Sequence, residues 1–195
     1  MSEKSEDQQT VTPPENVGEW KILKKLGKGS FGSVFLAEDM QHKQVAVKML
    51  HSSKCRPARI KFETELHMKF HHPNVVQFIK HFVYPDCTFI VMEYVRGSSL
   101  FEVSRRYKSF TEQEAIYLCR QIAQSICYLH SKYIAHGDVK LSNFMLMENG
   151  VVKVCDFGLA SKAIDRRGQM RQHDAFHGFK STAAPEVSFA RLFVR

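Results

Sequence analysis

The apolar positions of this chain change spacing part-way along it. Trp20, Ile22 and Leu26, then Ser33 to Ala37, then Val45 to Leu50 read as three short β-strands, with glycines between the first two. Arg59 to Phe70 predicts a helix with Ile60, Glu63, His67 and Phe70 roughly on one face. His72-Pro73-Asn74 ends it. Val75 to Phe82 and Thr88 to Met92 predict two more strands, followed by the linker Glu93 to Gly97. Ser99 then starts a short helix. Thr111-Glu112-Gln113-Glu114 is a capping box that opens a longer helix to about Ser131. This helix is expected to bury Ile116, Cys119, Ile122, Ala123, Ile126 and Leu129. Five strands and a helix, then a mainly helical part, predict an α+β chain with two lobes. Its divisions are a disordered polar tail at 1–17, a first lobe at 18–92, a linker at 93–97 and a second lobe at 98–195.

Composition changes this picture little. The 195 residues are 44% hydrophobic and 25% charged, as in an ordinary globular protein. The net charge of +8 comes from dispersed Lys and Arg without a long basic run, so no nucleic-acid partner is expected, while a polyphosphate ligand suits it. The five cysteines have no metal-type spacing, and His71-His72 stands beside Pro73 with no matching ligand set. With no signal segment and no apolar run near 18 residues, the chain is expected to be reduced and cytoplasmic, with the nucleus open to it, and to have no membrane partner.

The chemistry lies in a few short motifs. Gly27-Lys28-Gly29-Ser30-Phe31-Gly32-Ser33-Val34 allows tight turning and close backbone approach to phosphates. Strand rather than helix follows it, which disfavours dinucleotide binding. Val45-Ala46-Val47-Lys48 puts a lysine on an otherwise buried strand, where it needs a fixed anion. Glu63 is the candidate, with Glu65 nearby. His136-Gly137-Asp138-Val139-Lys140-Leu141-Ser142-Asn143 sets a carboxylate, a cation and an amide on a short loop, and Asp156-Phe157-Gly158 adds a second carboxylate. These are the parts of phosphoryl transfer.

Taken in order, and with Ala184-Pro185-Glu186 downstream, these motifs resemble the eukaryotic protein kinases from about Trp20 to Val187. Lys140 resembles the serine/threonine type. The spacing from Gly168 to Glu186 is similar to that of testis-specific kinases in the calmodulin-dependent group. The resemblance implies a bilobal fold with a five-stranded antiparallel first-lobe sheet plus one helix. It implies ATP and Mg2+ as cofactors and a protein bearing Ser or Thr as substrate. Asp138 would act on the substrate hydroxyl, Lys140 would steady the γ-phosphate, and Lys48 with Glu63 would hold the α- and β-phosphates. Asn143 and Asp156 would hold magnesium. Leu26, Gly27, Gly29, Gly32, Val34, Ala46 and Met145 would enclose the nucleotide, Met92 would be the gatekeeper, and Glu93 to Val95 would offer hinge backbone groups.

Four departures stand out. Gly137 replaces an Arg that pairs with an activation-segment phosphate, and Ser161 is the only hydroxyl between Gly158 and Gly178. Phe179 stands where Thr or Ser is usual, and Thr182 where Tyr is usual. His67 takes a usually apolar place in the stack joining the lobes. Finally, the sequence stops nine residues after Glu186, where kinases continue with much more helix, so an apolar face of the second lobe is expected to need a covering partner. The expectation is an ATP- and Mg-dependent protein serine/threonine kinase; the alternative is a truncated kinase that binds nucleotide or a partner without turnover.

Overall fold

The computed structural model describes residues 12–29 and 32–164. Ala184-Pro185-Glu186, Phe179, Thr182 and the segment behind the subgroup resemblance lie outside these residues. The described chain begins with β1 (Asn16–Val17), β2 (Trp20–Lys28), β3 (Gly32–Glu38), β4 (Gln44–His51), α1 (Pro57–His67), β5 (Phe78–Val83) and β6 (Cys87–Glu93). The strands form one antiparallel sheet in the order β1-β2-β3-β4-β6-β5.

The two-residue period of β4 fixes which side chains meet the cleft. Val45, Val47 and Met49 pack with Trp20, Phe35, Phe89 and Val91 in one core. Ala46 and Leu50 pack on the opposite face with Ile60, Ile90 and Met92, and Lys48 shares that face because it lies two residues from each. The expected five strands become six. Val17 is fully buried, and β1 folds back on β2 with Ile22 N–H donating to the Glu15 carbonyl at 2.8 Å. The tail predicted over 1–17 therefore gives way to structure before Val17, because one apolar residue next to a turn is enough to extend the sheet edge.

The fourth predicted strand also starts later than expected, at Phe78. Val76 N–H donates instead to the Val154 carbonyl, and Val154 N–H to the Asn74 carbonyl. That stretch is stitched to the second lobe rather than to the sheet. α1 ends at His67, and Phe70 beyond it is buried in the second-lobe core.

The second lobe contains β7 (Gly97–Ser99), α2 (Leu100–Tyr107), α3 (Glu112–Ser131), β8 (Ile134–Ala135), a 3-10 turn at Leu141–Asn143, β9 (Phe144–Met147), β10 (Val152–Val154) and β11 (Ser161–Lys162). It is less purely helical than predicted: β10-β9-β7 and β11-β8 form two small sheets, and Gly97 of the predicted linker is in the first of them. Both capping boxes close, Ser99 with Glu102 and Thr111 with Glu114. The buried side of α3 is Leu118, Ser125 and Leu129, with Ile122 and Ile126 packed partly against the core. The predicted face is corrected at one end: Ile116 is 61% exposed, and Cys119 and Ala123 are not among the buried positions. β10 and β8 approach α3 along the Leu118–Leu129 line, about a quarter of a turn from the centre of the expected one, with Leu129 common to both. Among the described residues, no helix is long and apolar enough to cross a membrane.

Candidate active site

A cleft of about 740 Å³ opens between the first-lobe sheet and the second lobe, within the range of small-molecule sites. Leu26, Gly27, Gly29, Gly32, Val34, Ala46, Lys48, Met92, Glu93, Val95 and Met145 all line it, as do Asp138, Lys140, Asn143 and Asp156. Residues far apart in the sequence thus converge on one space. Glu63, behind Lys48, is the one predicted site residue that does not line it. The glycine hairpin over the cleft is pinned by Gly29 N–H donating to the Gly32 carbonyl at 2.8 Å. A side chain at Gly32 would place Cβ 1.7 Å from the Met49 carbonyl oxygen, so the close approach of β3 to β4 requires glycine there.

Lys48 sits between two carboxylates. Its Nζ donates to Glu63 Oε1 at 2.6 Å and to Asp156 Oδ1 at 2.7 Å. Glu65 is instead near Lys61, at 3.8 Å on the exposed side of α1, which resolves the choice in favour of Glu63. Burial disfavours the charge on Lys48, but Asp156 and Glu63 outweigh it and raise the ammonium pKa above its ordinary value. At Asp156, burial raises the carboxyl pKa, and the Lys48 charge more than reverses this, so it is held below the usual range. Asp156 adopts φ +61, a left-handed conformation uncommon outside glycine. Such strain persists where neighbours fix it; Lys48 and Gly158 N–H, the latter at 3.2 Å, both bind its Oδ1.

The loop between β8 and β9 is organised around Asp138, which is 7% exposed. Asn143 Nδ2 donates to Asp138 Oδ2 at 2.9 Å and to its carbonyl at 2.8 Å. Lys140 Nζ lies 2.7 Å from the same Oδ2. The nitrogen of Asn143 is therefore committed to Asp138, and Oδ1 is the atom it has left for a cation. Asp156 carboxylate and Asn143 amide oxygens are hard donors of the kind magnesium takes together with phosphate oxygens. His136 supports the loop from beneath: its Nδ1 accepts from Asp138 N–H at 3.2 Å, leaving Nε2–H to donate to the Cys155 carbonyl at 3.1 Å. Burial holds its pKa below the ordinary histidine value.

Gly137 precedes Asp138 with φ +78, and a Cβ there would fall 2.3 Å from the Leu159 carbonyl oxygen. The glycine that stands in place of the expected Arg is thus built into the backbone path. His67 packs as a neutral ring within the interlobe stack, 5.0 Å from Phe157 and 5.7 Å from Phe78, and Phe157 is 5.5 Å from His136. Its Nε2–H donates to the Val76 carbonyl at 2.7 Å.

Sequence reasoning missed several contacts. Glu93 N–H donates to the Gln77 carbonyl, and its carboxylate takes Lys153 Nζ at 2.9 Å across the hinge. The lysine's place on β10 gave the pairing no sequence signal. Arg59 donates to the Gly158 carbonyl, although a basic residue in a first helical turn usually reads as solvent-facing. Cys155, beside Asp156, also lines the cleft, and burial pushes its thiol up to about 12. Glu102 also lines the cleft, but its carboxylate closes the Ser99 cap.

The likeness suggested by the motifs extends over nearly the whole chain. The family model for the protein kinase domain matches residues 20–189. Serine/threonine-protein kinase 1 of Arabidopsis thaliana is 34% identical over 91% of this chain and 21% of its own. A probable myosin light chain kinase of Dictyostelium discoideum is 37% identical over 88% of this chain and 54% of its own. Serine/threonine-protein kinase PLK4 of Drosophila persimilis is 31% identical over 91% of this chain and 23% of its own. The chain therefore spans about half or less of the length of these curated relatives. With a kinase-domain match over most of its length, and a lysine–glutamate pair, a carboxylate loop and a second carboxylate meeting at one cleft, this chain belongs to the protein kinase family, among relatives of the serine/threonine type.

Proposed function

We propose that this chain transfers the γ-phosphate of ATP, with magnesium, to Ser or Thr hydroxyls of a protein. The observation that carries this reading is the arrangement around Asp138. Its carboxylate is oriented by Asn143 and neutralised by Lys140, while Lys48 holds the second carboxylate, Asp156, across the cleft. Asp138 accepts the proton of the incoming hydroxyl or aligns it. Lys140, 2.7 Å from that carboxylate, is placed to follow the phosphoryl group as its charge redistributes. Lys48 neutralises the α- and β-phosphates, and Glu63 keeps its ammonium from turning away. Asp156 and Asn143 Oδ1 would hold a magnesium ion, which would supply charge neutralisation for the phosphates. Adenine fits the apolar slot between Val34 and Ala46 on one side and Met145 on the other, with the Glu93 carbonyl and Val95 as hinge groups.

Thermal melting with and without MgATP tests the nucleotide half of this reading. The melting temperature of the wild type rises with MgATP, and that of Asp156→Ala does not. Equal shifts in the two proteins would remove Asp156 from the metal site, and no shift in either would remove nucleotide from the cleft.

A further inference from the structure

Arg59, Glu63 and His67 follow one another at four-residue spacing on α1, so they form a single ridge along the helix. Each grips a different part of the catalytic framework. Glu63 takes Lys48 of the sheet, and His67 donates to the Val76 carbonyl. Arg59 donates to the Gly158 carbonyl through Nε at 3.0 Å and one terminal nitrogen at 2.6 Å. The planar guanidinium fork suits such a double contact. Its position is otherwise unfavourable. α1 has no acidic residue in its first turn and no side-chain cap, and a cation there opposes the helix dipole. The Gly158 contact offsets that cost. Gly158 is thus held on both sides, its N–H by the Asp156 carboxylate and its carbonyl by Arg59.

We infer that Arg59 is a positioning residue that locks the start of α1 to the Asp156–Gly158 turn, keeping the Lys48–Glu63 pair and Asp156 in register. The acceptor is a backbone carbonyl, so the lock is made without a phosphorylated side chain, while Gly137 contributes no cation to this region. The catalytic consequence of the lock rests on the kinase reading above; the lock itself does not.

The test uses the intact chain with Arg59→Met, which keeps an apolar stem without donors, and Arg59→Lys, which restores one charged donor. Amide hydrogen exchange without nucleotide is read over 57–67 and 156–160. Arg59→Met speeds exchange in both segments by about tenfold or more and Arg59→Lys by less. In phosphate transfer, Arg59→Met lowers kcat by about tenfold, while KM for ATP, set largely by the adenine slot, changes by less than about threefold. In a Glu63→Gln background, the same Arg59 substitution costs less than about threefold in kcat, because the two side chains act through one helix position. Should Arg59→Met fail to fold, Arg59→Lys carries the exchange comparison. Unchanged exchange in either segment, or a fully additive loss with Glu63→Gln, overturns the lock. Loosened exchange in both segments with no phosphate transfer by the wild type supports the lock and overturns the kinase reading instead.

Discussion

Lys48 and Glu63 form an ion pair of 2.6 Å with side chains only 11% and 4% exposed. Removing one partner of such a pair leaves the other charge buried, which costs roughly 3–5 kcal/mol. Lys48→Met therefore lowers folding stability by about that amount in chemical denaturation. The double variant Lys48→Met/Glu63→Leu recovers the part of the loss that comes from Glu63, because no charge is left stranded on α1; Asp156, 43% exposed, still loses its Lys48 partner and keeps its own part of the cost. A double variant no more stable than the single would show that the stranded Glu63 charge is not what destabilises Lys48→Met.

Gly137 gives a sharper backbone test. With φ +78 and the Leu159 carbonyl only 2.3 Å from the position of a Cβ, Gly137→Ala forces the two loops apart. A loss of about 1–3 kcal/mol is expected from the strain. Because Asp138 follows directly, activity should fall further than stability does. Wild-type denaturation midpoints and rates for Gly137→Ala would contradict this packing.

His67 makes stability depend on pH. Burial lowers its pKa from 6.5 to about 4, partly opposed by the Val76 hydrogen bond and reinforced by Lys48. The unfolded chain therefore binds a proton that the folded chain resists. Stability from this residue is full above about pH 6.5, falls as pH drops towards 4, and changes no further below that. The span corresponds to on the order of 3 kcal/mol. Denaturation of wild type and His67→Leu at several pH values between 7 and 4 checks it: the leucine variant should lose less stability on acidification. Parallel losses would mean that other groups carry the acid sensitivity.

The buried side of α3 can be checked by truncation. Leu118 is 8% exposed and Ile116 61%. Leu118→Ala should cost about 2–5 kcal/mol and Ile116→Ala less than about 0.5 kcal/mol, read from denaturant midpoints. The opposite order would restore the face expected from the sequence.

That face shows what the sequence could and could not reveal. Helical spacing identified α3 and its cap, since both depend on neighbours along the chain. The isoleucine and cysteine positions fit a helical stripe as well as Leu118 does, and only the arrival of β8 and β10 selects between stripes. The glycine loop, Lys48, Asp138, Asn143 and Asp156 were legible because each belongs to a short motif with its own chemistry, whereas Leu26, Met92 and Met145 followed from the family resemblance and Cys155 from neither. Lys48–Glu63 was legible because a buried lysine demands an anion. Lys153–Glu93 and Arg59–Gly158 were not, because the chain segments they join are 60 and 99 residues apart and one acceptor is a backbone carbonyl without sequence identity. The early start of the sheet at Val17 was hidden for a similar reason: a single apolar residue carries no periodicity.

Transfer of labelled γ-phosphate from ATP to a general Ser/Thr protein substrate, wild type beside Asp138→Ala, separates turnover from nucleotide binding alone. Under the kinase reading, the wild type shows magnesium-dependent incorporation and the variant loses roughly 10²–10⁴-fold, because its Lys140 and Asn143 no longer have a carboxylate to orient. Incorporation that survives Asp138→Ala unchanged, or none from a wild type that folds and binds MgATP, would contradict it.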